Sequence, residues 1–320
     1  MEYGQLGRSG LRVSRVLLGG WNFGKVTSEQ ESHALLDLAY EAGINVVDTA
    51  NKYGRGTSET HIGNWLAKAG ERRDRMVIAT KVFGVMTDWP NDSRLSARHI
   101  RHAVEQSLRR LRTDHIDLYQ LHHVDRNTPW EEIWQAMDQL VAQGKILYVG
   151  TSNHAGWQLA QGQETAIRRG ALGLVSEQCL YNLAERTAEQ EVIPAARNYG
   201  LAVLPWSPLH GGMLAGVLAL DSDPGSRRRT GRGANFLKGR LEQVQRYEDL
   251  CVKHGLMPAE VALAWLLARP EVTAPVIGPR TVPQLKSALR ALDLVLPSDL
   301  QRDLEEIFPG PGPAPESFAW

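Results

Sequence analysis

A short apolar run followed by an amphipathic stretch recurs along this chain from one end to the other, and few folds accommodate that pattern. "VLLGG" (Val16–Gly20) precedes "SEQESHALLDLAYEAG", where Ser28 and Glu31 have the spacing of a helix capping box. "INVVD" (Ile44–Asp48), "MVIATK" (Met76–Lys81) and "IDLYQLH" (Ile116–His122) are each followed by a helical stretch, and so are "ILYVGTS", "LVSEQ", "LAVLPWS" and "APVIG". Eight runs thus begin at Val16, Ile44, Met76, Ile116, Ile146, Leu174, Leu201 and Ala274. Strands that read as nearly continuous apolar runs are buried on both faces, as in parallel sheets. Eight strand–helix units in 320 residues predict an α/β fold, a closed (β/α)₈ TIM barrel with extra C-terminal helices. A doubly wound sheet would usually carry G-x-G-x-x-G after its first strand, and "GGWNFG" lacks that pattern. "GRSG" between short alternating stretches predicts an N-terminal hairpin on the barrel floor. One barrel domain is expected over 1–320, interrupted by a polar, basic insertion at 221–236 and closed by a Pro/Gly-rich tail at 309–320.

The first run ends in "LLGGWNFGKV", in which Gly19, Gly24 and Lys25 fit most of a P-loop. Val26, however, stands where magnesium needs a hydroxyl, and Trp21, Asn22 and Phe23 crowd a turn that should wrap phosphates. The likeness is coincidental.

Lys+Arg and Asp+Glu balance at 36 each, so no global field favours nucleic acid or an anionic membrane as partner. Cys179 and Cys251 form neither a disulfide framework nor a zinc pattern, which suits a reducing compartment. The N-terminus lacks the apolar core of a secretory signal, and "VALAWLLA" from Val261 is too short to cross a bilayer. A soluble cytoplasmic protein is expected, and homo-oligomerisation is left open.

In a barrel of this kind, chemistry sits at the C-terminal ends of the strands. The second run ends in Asp48, with Tyr53 following in "DTANKYG"; the third ends in Lys81 and the fourth in His122. Singly, each has a structural explanation: a turn cap, a loop anchor, a solvated charge. Together they bring a carboxylate, a phenol, an ammonium and an imidazole to one mouth. A buried Lys81 needs a partner, and Asp48 is the obvious one. That pair would set positive charge beside Tyr53, as a phenol with an ordinary pKa of about 10 requires if it is to act as an acid at neutral pH. His122 and His123 are adjacent, and strand alternation would turn them to opposite sides, so no metal site is expected.

The chain resembles an aldo-keto reductase over nearly its whole length. "NVVDTANKYGRGTSE", "VIATKVFG", "IDLYQLHHVD", "YVGTSN", "SEQCLYNL", "LPWSPLHGG" and "PVIGPRTVPQL" stand in that family's order and spacing. The resemblance implies that Tyr53 is the general acid, that Lys81 with Asp48 tunes it, and that His122 orients a substrate carbonyl. It also implies a nicotinamide cofactor. Ser152, Asn153 and Gln178 would hold the carboxamide. Gly20 would leave room for the cofactor, and Trp206, Ser207, Pro208, Leu209, Gly211 and Gly212 would run along the pyrophosphate. Gly278, Arg280, Thr281 and Gln284 would open the last barrel helix, where N–H groups favour an anion. Arg280 can fork onto a 2′-phosphate, which favours NADPH over NADH. Tyr181 is either core or a ring-stacking partner. Trp21, Phe83, Trp89 and His123 would surround a small-molecule carbonyl substrate. The chain departs from the family at Ser287 and Ala288, where Glu and Asn are frequent.

Within the family, "WPNDSRLSARHIRHAVEQSLRRL", "SEQCLYNLAERTAEQEVIPAA" and the tail resemble an actinomycete branch of deoxysugar biosynthesis, nucleotide-hexose reductases that include 2,3-enoyl reductases. Steroid enoyl reductases of the wider family carry Glu at the position of His122, so His122 favours carbonyl reduction. Arg227–Arg229 in the insertion read either as a solvated loop or as a flap gripping a diphosphate. Potassium-channel β subunits resemble the chain too, which leaves a slow, redox-sensing subunit as the alternative to an enzyme.

Overall fold

Ten strands order the chain: β1 (Tyr3–Gln5), β2 (Arg12–Ser14), β3 (Leu17–Gly19), β4 (Val46–Asp48), β5 (Val77–Val82), β6 (Ile116–Leu121), β7 (Ile146–Ser152), β8 (Leu174–Gln178), β9 (Ala202–Val203) and β10 (Val276–Ile277). The computed structural model describes residues 1–218 and 232–314, and these elements are counted among them. Strands β3–β10 pair in parallel in the order β10-β3-β4-β5-β6-β7-β8-β9. Parallel bridges from Val203 to Val272 and from Trp206 to Val276 join the two ends and close the barrel. The eight expected runs are thus the eight barrel strands. Strands β9 and β10 are shorter than their apolar runs because Pro205 and Pro275 lack an N–H to donate. Pairing continues past them nonetheless, with Leu204 N donating to Glu177 O at 2.9 Å and Val276 N to Pro205 O at 2.8 Å.

Helices α1 (Glu29–Glu41), α2 (Thr57–Leu66), α3 (Gly70–Arg75), α4 (Ala97–Leu111), α5 (Trp130–Ala142), α6 (Gly156–Arg168), α7 (Val192–Tyr199), α8 (Arg232–Leu237), α9 (Leu241–Lys253), α10 (Pro258–Leu267), α11 (Val282–Arg290) and α12 (Ser298–Ile307) accompany the barrel. The capping box of α1 forms as its spacing predicts: Ser28 Oγ accepts from Glu31 N, and the Glu31 carboxylate accepts from Ser28 N at 2.8 Å. Helix α12 follows the last barrel helix as the extra C-terminal element.

Period-two alternation divides the strand side chains between two cores. Leu17, Val46, Val77, Ala79 and Leu118 fill the lower barrel interior, where Leu6 and Val13 of the β1–β2 hairpin join them and seal the floor. Leu18, Val47, Ile78 and Tyr119 face outward into a second core shared with the helices. The floor and lower barrel are therefore apolar and closed, which confines polar chemistry to the upper strand ends. Most of the basic insertion, including Arg227–Arg229, and the end of the tail lie outside the described residues. Among the described residues, no single helix is long and apolar enough to cross a membrane.

Candidate active site

Four barrel strands bring polar groups to one point above the apolar floor. Lys81, fully buried on β5, donates from Nζ to Asp48 Oδ2 at 2.5 Å and to Thr49 O at 2.9 Å. The other carboxylate oxygen, Asp48 Oδ1, accepts from Gln120 Nε2 of β6 and Gln178 Nε2 of β8, both at 2.9 Å. Burial by itself disfavours the ammonium, but Asp48 and then Tyr53 more than offset it, holding Lys81 above the ordinary lysine range. Lys81 is therefore a lasting cation at neutral pH.

Tyr53 reaches this cation from the loop after β4, with Lys81 Nζ 3.5 Å from its Oη. A short turn over Tyr53–Gly56 carries it, with Gly54, Arg55 and Gly56 all in the left-handed region. Its ring meets Trp21 edge-on at 4.9 Å between centroids and His122 at 5.6 Å. Burial, then Lys81, His123 and Lys52, push His122 well below the ordinary histidine range, so its imidazole is neutral. Asp48, Tyr53, Lys81 and His122 are thus brought together.

His122 and His123 do not face opposite sides as their adjacency implies. Their rings stack at 4.9 Å with 5° between planes. Strand β6 ends at Leu121, so alternation no longer governs them. His123 also meets Phe83 edge-on at 5.4 Å, which lines one wall with Trp21, Phe83 and the two imidazoles. Trp89 is 78% exposed on the loop after β5 and makes no ring contact with this wall.

The residues expected to hold a cofactor interlock with this cluster. Asn153 stands in the left-handed region after β7 (φ +62°); its Nδ2 donates to His122 O at 3.1 Å and to Ser152 Oγ at 2.9 Å. Its Oδ1 accepts from Trp206 Nε1 at 3.0 Å, while Ser152 Oγ donates to Gln178 O at 2.8 Å. Beyond Trp206, Ser207, His210, Gly211 and Gly212 all take positive φ, winding the backbone past Pro208 and Leu209. Ser207 Oγ accepts from Gly211 N at 2.9 Å within that turn. On the neighbouring strand end, past β10, Asn22 Nδ2 donates to Gly278 O at 2.9 Å, and Thr281 caps α11 by accepting from Gln284 N. Gln284 Oε1 accepts from Arg280 N at 2.8 Å, and the Arg280 guanidinium forms no ion pair among the described residues. An elongated anionic cofactor fits this donor set: a guanidinium with no ion pair among the described residues beside a helix N-terminus, and amides beside the polar cluster.

Three further positions are given local partners by the packing. A Cβ at Gly20 would lie 2.7 Å from Ser58 Oγ, so packing within the protein already demands glycine there. Tyr181 is core: it is fully buried, and its hydroxyl donates to Glu189 Oε1 at 2.7 Å. Ser287, where the family often has Glu, donates to Glu260 Oε1 at 2.9 Å. Gln120 escapes a reading confined to terminal strand residues, yet it pairs in register with Lys81 across β5 and β6, on the inward face. Among the described residues, no group of three or more His, Cys, Asp or Glu converges as a metal site.

Comparison with known proteins bears on the whole chain. The model of the Aldo/keto reductase family matches residues 15–308. The chain is 50% identical over 329 aligned positions to the uncharacterized oxidoreductase YrpG of Bacillus subtilis, with all of both chains covered. It is 37% identical to versiconal hemiacetal acetate reductase of Aspergillus parasiticus, with 96% of each chain covered. A probable voltage-gated potassium channel subunit beta of Oryza sativa is 34% identical, with 92% of each covered.

Proposed function

The chain belongs to the aldo/keto reductase family and is an NAD(P)H-dependent oxidoreductase, and on that premise we propose that it reduces a small-molecule carbonyl with Tyr53 as the general acid. The observation that carries this reading is the fully buried Lys81 ammonium, 2.5 Å from Asp48 and 3.5 Å from the Tyr53 hydroxyl. A nicotinamide held at Ser152, Asn153 and Gln178 would supply the hydride. Tyr53 hands its phenolic proton to the carbonyl oxygen, and the phenolate left behind is stabilised by Lys81, which stays protonated because Asp48 holds it so. His122, neutral at physiological pH, offers an uncharged imidazole that can orient the same oxygen without competing for the proton. Trp21 and Phe83 shield that exchange from water.

NADPH is the preferred cofactor in this reading, because Arg280 precedes the α11 N-terminus and its guanidinium has no ion pair among the described residues. The sequence likeness and the arginine-rich insertion support a nucleotide-linked keto-sugar as the substrate, and the two free, buried cysteines suit a cytoplasmic location. Likeness to potassium-channel β subunits supports a second reading, a cofactor-binding regulatory subunit that turns over slowly.

The test is oxidation of NADPH against aldehydes, simple ketones and nucleotide-linked keto-sugars, with Tyr53→Phe alongside. Tyr53→Phe should keep NADPH affinity and lose roughly 10²-fold or more in turnover. Near wild-type turnover by that variant would remove Tyr53 as the acid. Arg280→Met should weaken NADPH by about 1.5–3 kcal/mol and leave NADH unchanged. Tight NADPH binding with no turnover on the whole panel would favour the regulatory reading.

A further inference from the structure

The carboxylate of Asp48 is engaged on both oxygens, and only one of them serves Lys81. Oδ2 accepts from Lys81, and Oδ1 accepts from two neutral amides, Gln120 Nε2 and Gln178 Nε2. The amides also meet each other: Gln178 Nε2 lies 3.3 Å from Gln120 Oε1. Asp48 Oδ1, Gln120 and Gln178 therefore form a closed triangle inside the barrel. All three residues are at most 3% exposed, so no bulk water can replace a missing donor.

The triangle fixes two orientations at once. Gln178 Nε2 faces two acceptors, Asp48 Oδ1 and Gln120 Oε1, which sets the nitrogen toward the tetrad and the amide oxygen away from it. Asp48, pulled on Oδ1 from β6 and β8, can turn only Oδ2 to Lys81. The site for Gln120 is itself prepared. A side chain at position 150 on β7 would start 3.3 Å from Gln120 Cγ and 2.4 Å from Ser176 Oγ, and glycine there leaves the space open.

We infer that Gln120 is a positioning residue that orients Asp48 toward Lys81 and the Gln178 amide toward the cofactor side of the barrel. It touches no reacting atom. It acts by donating to one partner and accepting from the other, which no apolar side chain and no carboxylate can do together. This inference rests on the proposed roles of Lys81, Tyr53 and Gln178.

Two variants test it. Gln120→Leu removes both the donor and the acceptor and should lower kcat by about tenfold or more at every pH. Gln120→Glu keeps the shape but makes the donor conditional on protonation. Around position 120 stand Asp48 from β4, Lys81 from β5, His122 further along β6, and the neutral Gly150 of β7 and Ser176 and Gln178 of β8. Lys81 is committed to Asp48, so the introduced carboxyl would meet a like charge on its nearest neighbour and its pKa should rise. Protonated, it donates to Asp48 Oδ1; ionised, it repels it. Both kcat and the cofactor-free melting temperature of Gln120→Glu should therefore approach wild type near pH 5.5. Both should fall away progressively toward pH 8.5, while the deficits of Gln120→Leu stay flat. A flat, wild-type-like pH dependence for Gln120→Glu in both measurements would overturn the inference. The melting arm needs neither cofactor nor substrate. If the wild type reduces no carbonyl, the proposed function fails while the melting curves still decide the role of Gln120.

Discussion

Two rings of polar side chains lie back to back on the same strands. Asp48, Lys81, Gln120 and Gln178 point into the barrel; their immediate neighbours Thr49, Thr80, Tyr119 and Glu177 point out of it. Burial does not separate the rings, since Lys81 of the inner one and Glu59, the partner of the outer one, are both fully inaccessible. What separates them is where their bonds end. Thr80 Oγ1 donates to Glu59 Oε1 at 2.6 Å, Arg110 Nε donates to Glu59 Oε2 at 2.7 Å, and Thr49 Oγ1 meets Ser58 Oγ at 2.8 Å. Two of those bonds run from β5 and from the residue after β4 to α2, and the third ties α4 to α2, so they fix helices against the barrel. The inner bonds run from strand to strand and leave Lys81 beside Tyr53 at the mouth. A buried ion pair is therefore no sign of function by itself. Its remaining neighbour decides.

The sharpest way to break this comparison is to remove one cation from each ring. Lys81→Met should lose roughly 10²-fold or more in turnover while NADPH affinity holds, because the phenolate of Tyr53 loses its countercharge. Asp48 keeps its two amide donors in that variant, which limits the structural damage. Arg110→Met should do the reverse. Among the described residues Glu59 would keep only Thr80 as partner, and leaving a buried carboxylate half-paired costs about 3–5 kcal/mol of stability. Below its lowered melting temperature the variant should turn over normally. Melting and turnover measured together check both, and a swap of the two outcomes would reverse the assignment of the rings. Alkaline pH separates them further. Lys81 has a raised pKa in the folded state, so its contribution is complete below the ordinary lysine value and is lost as pH climbs through the elevated one. Lys81→Met should lack that alkaline loss.

A smaller change tests the outer ring alone. Thr80→Val keeps the branched shape and removes the hydroxyl that donates to Glu59. About 1.5–3 kcal/mol of stability should go, with kcat unchanged. Loss of kcat without loss of stability would mean that the outer ring reaches the chemistry.

The inner ring was partly legible in the sequence, and the outer one hardly at all. Asp48, Lys81 and His122 end apolar runs, and the barrel places strand ends at one mouth. Gln178 ends its run "LVSEQ" in the same way, whereas Gln120 lies inside its run and needed the strand register, which sets it beside Lys81 on the inward face. Glu59 and Arg110 lie on helices, where charges ordinarily face water, and nothing local marks the pair that turns inward to Thr80. Alternation misled at His122 and His123, because it holds only while the strand lasts and β6 stops one residue earlier. Tyr181 could not be assigned from "CLYNL" because its partner, Glu189, arrives from a later turn.

Glu177 offers the finest test of the outer ring, because it sits back to back with Gln178 and has no ion pair among the described residues. Its Oε1 accepts from His154 N at 3.1 Å, just beyond the left-handed Asn153, and its Oε2 has no partner among the described residues. Burial pushes its pKa up to about 7. The nearby His154 is held down to about 4 by burial, so it supplies no positive charge at neutral pH, and burial pushes the Cys179 thiol up, so it stays neutral there. Between about pH 4.5 and 7 the native state then binds more protons than the unfolded chain, and stability falls as pH rises through that window. Glu177→Gln keeps an acceptor for His154 N and cannot ionise, so it removes that slope. The penalty lifted is at most about 3 kcal/mol above pH 7, and burying an amide NH₂ without a partner offsets much of it. A net gain of about 1 kcal/mol at pH 8, shrinking to nothing or reversing near pH 5, is the expected result. Melting temperatures of the two proteins across pH 5–8 read it directly. Parallel curves would show that the outer-facing carboxyl finds a donor for its second oxygen and ionises like its paired neighbours.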